Sequence, residues 1–134
     1  MAVMANSYQQ YVKHDVMMAT PMELVVMLYT GCIKKLRLGQ MAIEKHDYEA
    51  ANLNLQKAVD IVMELILGLD LQYSIARDLM GIYDFVQREI VRGNAAKDVK
   101  TIESVIEIMA ELRESWIQIQ KVTKATARYE YESE

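Results

Sequence analysis

Only one cysteine, one proline, one phenylalanine and one tryptophan occur among the 134 residues, and glycine appears five times. A lone Cys32 cannot form an internal disulfide, and such usage fits a reducing compartment. So little Pro and Gly leaves no supply of the tight turns that an all-β fold needs. Positive charge is also scarce: 15 Lys and Arg face 19 Asp and Glu, a net charge of −4. That balance disfavours nucleic acid and anionic membrane surfaces, which call for a basic patch. No apolar run approaches the roughly 18 residues of a membrane-spanning helix. The opening "MAVMANSYQQY" lacks the basic stretch and apolar core of a signal peptide. A soluble, cytoplasmic protein without nucleic-acid partners or membrane insertion is expected.

What the chain has instead is apolar residues, at 52%, arranged with helical period. The spacing predicts four long helices, from about Pro21 to Lys45, from a cap at Asp47 to Leu67, from Ser74 to Arg92, and from a cap at Asp98 past Trp116 towards Lys124. Thr20, Pro21 and Glu23 form the start signal of the first, with a capping hydroxyl, a proline in the first turn and the Glu of a capping box. Gly93 is expected to close the third helix in a left-handed conformation. Apolar residues recur in alternating steps of three and four. The seams are Val25, Leu28, Cys32, Leu36 and Ile43; Ala51, Leu55, Ala58, Val62, Leu65 and Leu69; Ile75, Leu79, Ile82 and Val86; and Ile102, Val105, Met109, Leu112, Trp116 and Ile119. Such seams with short connections specify an all-α, antiparallel up-down four-helix bundle. Residues 1–134 read as one domain, preceded by a short N-terminal helical segment (1–18, detachable) and ending in a frayed acidic tail (125–134).

Bundles of this kind often hold di-metal sites, which need inward carboxylates and Glu-x-x-His pairs. Neither His14 nor His46 has Glu three residues earlier, so no metal is expected. The row Glu103, Glu107, Glu111 and Glu114 lies opposite its helix's seam and reads as a solvated face. Cys32 sits on a seam, where nothing lowers a thiol's pKa, and reads as core rather than nucleophile. No phosphate-cradling loop and no nucleophile–base set occurs. The chain is therefore read as non-enzymatic and without cofactors.

The anomaly is the first helix, apolar on every side over "ATPMELVVMLYTGCI". Leu24, Met27, Gly31 and Leu38 line a second strip beside the seam, and the second helix carries Val59, Met63 and Leu67 beyond its own. The two strips are expected to border one groove. Exposed apolar strips on soluble proteins mark interaction sites. Tyr8 and Tyr11, in "NSYQQYVKHDVMM", lie on an amphipathic segment able to cover the strip. A partner, a second copy of the chain, or this segment could occupy it. The partner-binding candidates are thus Tyr8, Tyr11, Leu24, Met27, Gly31, Leu38, Val59, Met63 and Leu67.

The run Ala19-Thr20-Pro21-Met22-Glu23-Leu24-Val25-Val26-Met27-Leu28-Tyr29-Thr30-Gly31 resembles a signature of the FliS family of flagellin export chaperones. "ELILGLD", "IYDFV" followed by "GN", and "LRESW" resemble further family segments in the same order, so the likeness spans about Tyr8 to Trp116. Thr20 replaces the common Ser, Thr30 stands where an acid is frequent, and "LQYSIA" lacks a Gly pair often found there. The resemblance implies a cytoplasmic bundle that binds the disordered C-terminal segment of flagellin. It would prevent premature polymerisation and aid delivery to the flagellar type III export apparatus, with the export gate as a further partner. The alternative reading is a structural homo-oligomer, dimeric in the free state, that uses the same strip.

Overall fold

The structure, a computed structural model, describes residues 21–133, with side chains through residue 126. It consists of helices α1 (Pro21–Glu44), α2 (Tyr48–Leu67), α3 (Ser74–Ala96) and α4 (Val99–Ser133), with no strand among the described residues. Helix α1 packs on α2 and α4, and α3 packs on the same two. The four therefore form a closed ring in which α1 and α3 are diagonal. This is the expected bundle. The N-terminal segment 1–18 lies outside the described residues.

Two of the three connections use a non-glycine residue in the left-handed region. At the end of α1, His46 has φ 58°, and the amides of His46 and Asp47 return to the carbonyls of Ile43 and Ala42 at 2.9 and 2.8 Å. Asp47 then caps α2, its carboxylate accepting from the Ala50 amide at 3.1 Å, as the sequence indicated. The third connection departs from expectation. Helix α3 runs through Gly93 to Ala96, and Lys97, with φ 51°, is the left-handed residue. Gly93 serves another purpose. A Cβ there would come within 2.8 Å of Ile102 Cδ1 and 3.0 Å of Thr101 Cγ2, so its missing side chain lets α3 approach the first turn of α4. Asp98 caps α4, accepting from the Thr101 hydroxyl at 2.8 Å and the Lys100 amide at 3.0 Å. The Thr101 bond leads in holding its carboxyl below the ordinary carboxylate range.

The α2 seam is buried from Ala51 through Leu55, Ala58 and Val62 to Leu65, and its last member, Leu69, packs against the core half-buried. On the other helices the core is rotated slightly. Leu28, Ile82, Leu112 and Trp116, expected in the core, pack against it half-buried, and Ile75 is 64% exposed while Ala76 is buried beside it. The places so vacated go to Tyr29 and Tyr83, the two largest fully buried side chains. Their hydroxyls are hydrogen-bonded to each other, and the indole N–H of Trp116 donates to Tyr29 Oη at 3.2 Å. A buried phenol needs such a partner, and with it an interior tyrosine becomes tolerable. Burial pushes both phenol pKa values up.

A second polar cluster ties α1 to the start of α4. Gln40, buried, donates from Nε2 to Glu103 Oε2 at 2.8 Å and to the Val99 carbonyl at 3.2 Å. Arg37 donates to the same carboxylate at 2.6 Å. Glu103 is thus a bridge between helices, and only Glu107, Glu111 and Glu114 of the acidic row are exposed as expected. The Gln40 amide leads in holding the Glu103 carboxyl below its ordinary pKa.

Candidate partner-binding surface

Helix α1 starts with Pro21, whose missing N–H costs nothing in a first turn, and its next residues, Met22 to Leu28, are all half-buried. Leu24, Met27, Gly31 and Leu38 share this intermediate state, so the apolar strip read from the sequence keeps solvent access along its length. Gly31 is placed against α2, since a Cβ there would meet Ile61 Cδ1 at 3.7 Å, an ordinary contact. The helix is fixed from the other side by α4, where Arg113 Nε donates to Thr30 Oγ1 at 2.7 Å and Lys124 pairs with Glu23 at 3.0 Å.

The expected single groove between α1 and α2 is not what α2 contributes to. At 100° per residue, Val59 lies about 200° around the helix from Ile61. With Ile61 turned to α1, Val59 and Met63 face the opposite neighbour. They line a groove of about 420 Å³ with Gln87, Arg88 and Val91 of α3, where Gln87 Nε2 also donates to the Val59 carbonyl at 3.2 Å. Leu67 is 65% exposed at the end of α2, and Leu71 and Tyr73 of the following turn and Ile75 in the first turn of α3 are exposed as well. The sequence candidates are thus distributed over two faces and one end of the bundle. Tyr8 and Tyr11 lie outside the described residues.

Sequence reading missed the surface between α3 and α4. There a groove of about 560 Å³ is lined by Gly81, Ile82 and Phe85 opposite Ile108 and Leu112, with Asp78 and Glu111 on its rim. It continues, past Phe85 and Ile108, into a second hollow of about 270 Å³ edged by Lys100 and by Arg92 with its ion-pair partner Glu89. Phe85, the only phenylalanine, is 43% exposed. The signal was present in the sequence, because Phe85 precedes the seam residue Val86 and so lies about 100° off the core-facing side.

Reactive groups are not gathered anywhere on these faces. Cys32 is fully buried with Sγ directed at the Ala58 carbonyl at 3.8 Å, and burial pushes its thiol pKa up to about 12. Such a thiol stays protonated and unreactive at neutral pH. Among the described residues no group of three or more His, Cys, Asp and Glu is placed to hold a metal ion. His46 is exposed in a turn, within 3.0 Å of the Tyr48 hydroxyl. Among the described residues no helix is long and apolar enough to cross a membrane.

Half-buried strips and open apolar grooves between helices are the kind of surface on which other chains dock. The comparisons with known proteins say which kind. The family model for the flagellar protein FliS matches residues 4–123, and the chain belongs to that family. It is 36% identical over 113 residues to the flagellar secretion chaperone FliS of Bacillus subtilis, covering 84% of this chain and 85% of the relative. The corresponding Vibrio cholerae protein is 33% identical over 122 residues, covering 87% and 90%. A solved structure described as a flagellar chaperone from bacteria superimposes with a TM-score of 0.71 at 21% identity, over 87% of this chain and 97% of that one. That likeness supports the bundle fold. The relatives are chaperones, so the non-enzymatic reading holds.

Proposed function

We propose that this chain is a cytoplasmic export chaperone for flagellin, which holds flagellin's disordered C-terminal segment, keeps it from polymerising early and hands it to the flagellar type III export apparatus. The observation that carries this reading is a family membership covering most of the chain, joined to a bundle whose apolar strips and grooves stay open to solvent. A disordered client ordering on such surfaces loses conformational entropy and regains free energy at roughly 25 cal/mol per Å² of apolar area buried. Leu24, Met27, Gly31 and Leu38 on α1, Val59 and Met63 on α2, and Leu67 at its end are the residues proposed to meet the client. Tyr8 and Tyr11 join them from the sequence alone, on a segment proposed to cover the strip until the client displaces it.

Co-expression with flagellin from the same genome, followed by gel filtration, tests the reading. Co-elution as a 1:1 complex supports it, and persistent separation favours the homo-oligomeric alternative. Met27→Glu sharpens the test. Met27 is half-buried on the bundle, so once the N-terminal segment lifts away the variant's carboxylate sits in water and the protein is expected to fold, whereas under a client it would be desolvated without a partner at a cost of several kcal/mol. Affinity is expected to fall by roughly a hundredfold or more. Full binding by a folded Met27→Glu protein would exclude the α1 strip as the client site.

A further inference from the structure

We infer that Lys35 and Lys57 form a carboxylate subsite in the middle of the apolar strip, so that the client segment held there carries one Asp or Glu between apolar stretches. This rests on the α1 strip being the client site, and adds the chemistry by which the client is chosen. Across the α1–α2 seam a Cβ on Gly31 would meet Ile61 Cδ1 at 3.7 Å, and Leu55 comes closer still to Gly39. Lys35 stands four residues after Gly31 and four before Gly39, on the same side of α1. In an antiparallel pair the position facing it lies four residues before Ile61, at Lys57. Two ammonium groups are therefore brought together where the helices approach most closely. Both residues are half-buried, and Lys34 adds a third, exposed charge beside them.

Like charges gathered away from water are unfavourable until an opposite charge joins them. Among the described residues neither ammonium has an ion-pair partner. Of the α2 acids on this side, Asp60 accepts from Gln56 Nε2 at 3.1 Å, and Glu64 stands two turns from Lys57, ~10 Å along the helix. Burial, then the charges of Lys57 and Lys34, hold the Lys35 ammonium below its ordinary pKa. What surrounds the pair is apolar. Leu24, Met27 and Ile61 lie towards one end of the strip, and Leu38 and the exposed Leu53 towards the other. Lysine stems lie along such surface readily while their heads stay available. A helix docked on the strip by its apolar face would cross both ammonium groups. One carboxylate at that point neutralises them, whereas an amide leaves the repulsion in place and a lysine adds to it. Charge complementarity of this kind selects among otherwise similar apolar segments.

The test uses the full chain and synthetic amphipathic helical peptides, identical except that the centre of the apolar face carries Glu, Gln or Lys. Titration calorimetry should show the Glu peptide bound roughly tenfold more tightly than the Gln peptide, with an advantage that shrinks as salt is added. Lys35→Met together with Lys57→Met keeps the bulk of both stems. That chain should stay folded by circular dichroism, melt no lower, and bind the Glu and Gln peptides alike. Lys57→Glu should shift the preference towards the Lys peptide. A preference that is absent, or that survives the Met substitutions, overturns the inference. Met substitutions that strengthen both peptides by the same factor would mean that the pair holds Asp15, the one acid among residues 1–20, and overturn it too. Flagellin is measured separately: a chain that prefers the Glu peptide yet fails to bind flagellin counts against the proposed client and leaves the subsite standing.

Discussion

Gly39 of α1 and Gly81 of α3 both sit in mid-helix, where glycine costs roughly 1 kcal/mol relative to alanine. Their surroundings are opposite. A Cβ at Gly39 would lie 2.4 Å from Leu55 Cδ2 and 2.7 Å from its Cγ, whereas one at Gly81 would meet nothing within 4 Å. The α1–α2 side of the bundle uses its glycine to bring two helices together, while the α1 strip beyond that contact stays half-buried. On the α3–α4 side Gly81 and Phe85 edge an open groove. The same residue type at the same cost thus marks internal packing in one half and an unfilled surface in the other. Where apolar residues lie in sequence does not tell which will stay wet; how closely the neighbouring helix can come decides it.

The largest effect that would break this contrast is on the tight side. Leu55→Ala removes a fully buried side chain, and its melting transition should show a loss of about 2–5 kcal/mol. An undiminished stability would mean that the α1–α2 contact is loose after all. Alkaline pH should strike the same side. The Cys32 thiol, seated against α2, has its folded pKa raised from 9.0 to about 12. An acid with a raised folded pKa is fully stabilising below the unfolded value and loses that contribution as pH climbs towards the folded one, because the unfolded chain gives up its proton first. Stability should therefore fall between about pH 9 and pH 12, and Cys32→Ala should flatten this slope in denaturant titrations at several pH values. The buried phenols of Tyr29 and Tyr83 add a decline of the same sign that the Cys32 variant retains.

Gly39→Ala comes next, with an expected loss of about 1–3 kcal/mol from overpacking against Leu55. Combining it with Leu55→Ala should relieve the clash, so the two changes together should cost less than their sum. Strict additivity in that cycle would show that the methyl is accommodated elsewhere. Gly81→Ala should do the reverse of Gly39→Ala and stabilise the free bundle by up to about 1 kcal/mol. The smallest effect belongs to Arg88→Ala, which removes an exposed i,i+4 pair with Asp84 and should shift stability by no more than about 0.5 kcal/mol.

Much of this architecture was legible before any coordinates. The seams of α2, the caps at Asp47 and Asp98, and the buried state of Cys32 follow from local periodicity and capping chemistry, which act within a few residues. What was not legible depends on distant neighbours. Gly93 looked like a helix stop because local preference favours it there, yet Thr101 and Ile102 across the turn claim it for close packing. Glu103 looked solvated until Gln40, far away in sequence, reached it. Val59 and Met63 were sound as surplus apolar residues, but the side they face was fixed by Ile61 meeting Gly31. Tyr29 and Tyr83 hid best of all, because each seems too polar for a core until the other is beside it.

That pair has a consequence for how the bundle is indexed along its axis. Apolar seams mesh nearly as well after a slip of one turn, about 5.4 Å, so leucines alone set the height of one helix against the next only weakly. The hydroxyl contact joins α1 to α3 across the diagonal, and Trp116 brings in α4 at the same level. Any slip would strand a buried phenol without a partner, at about 1–3 kcal/mol. Three helices are thereby pinned at a single height, like tumblers aligned by one key, and every strip and groove on their outer faces inherits that fixed datum.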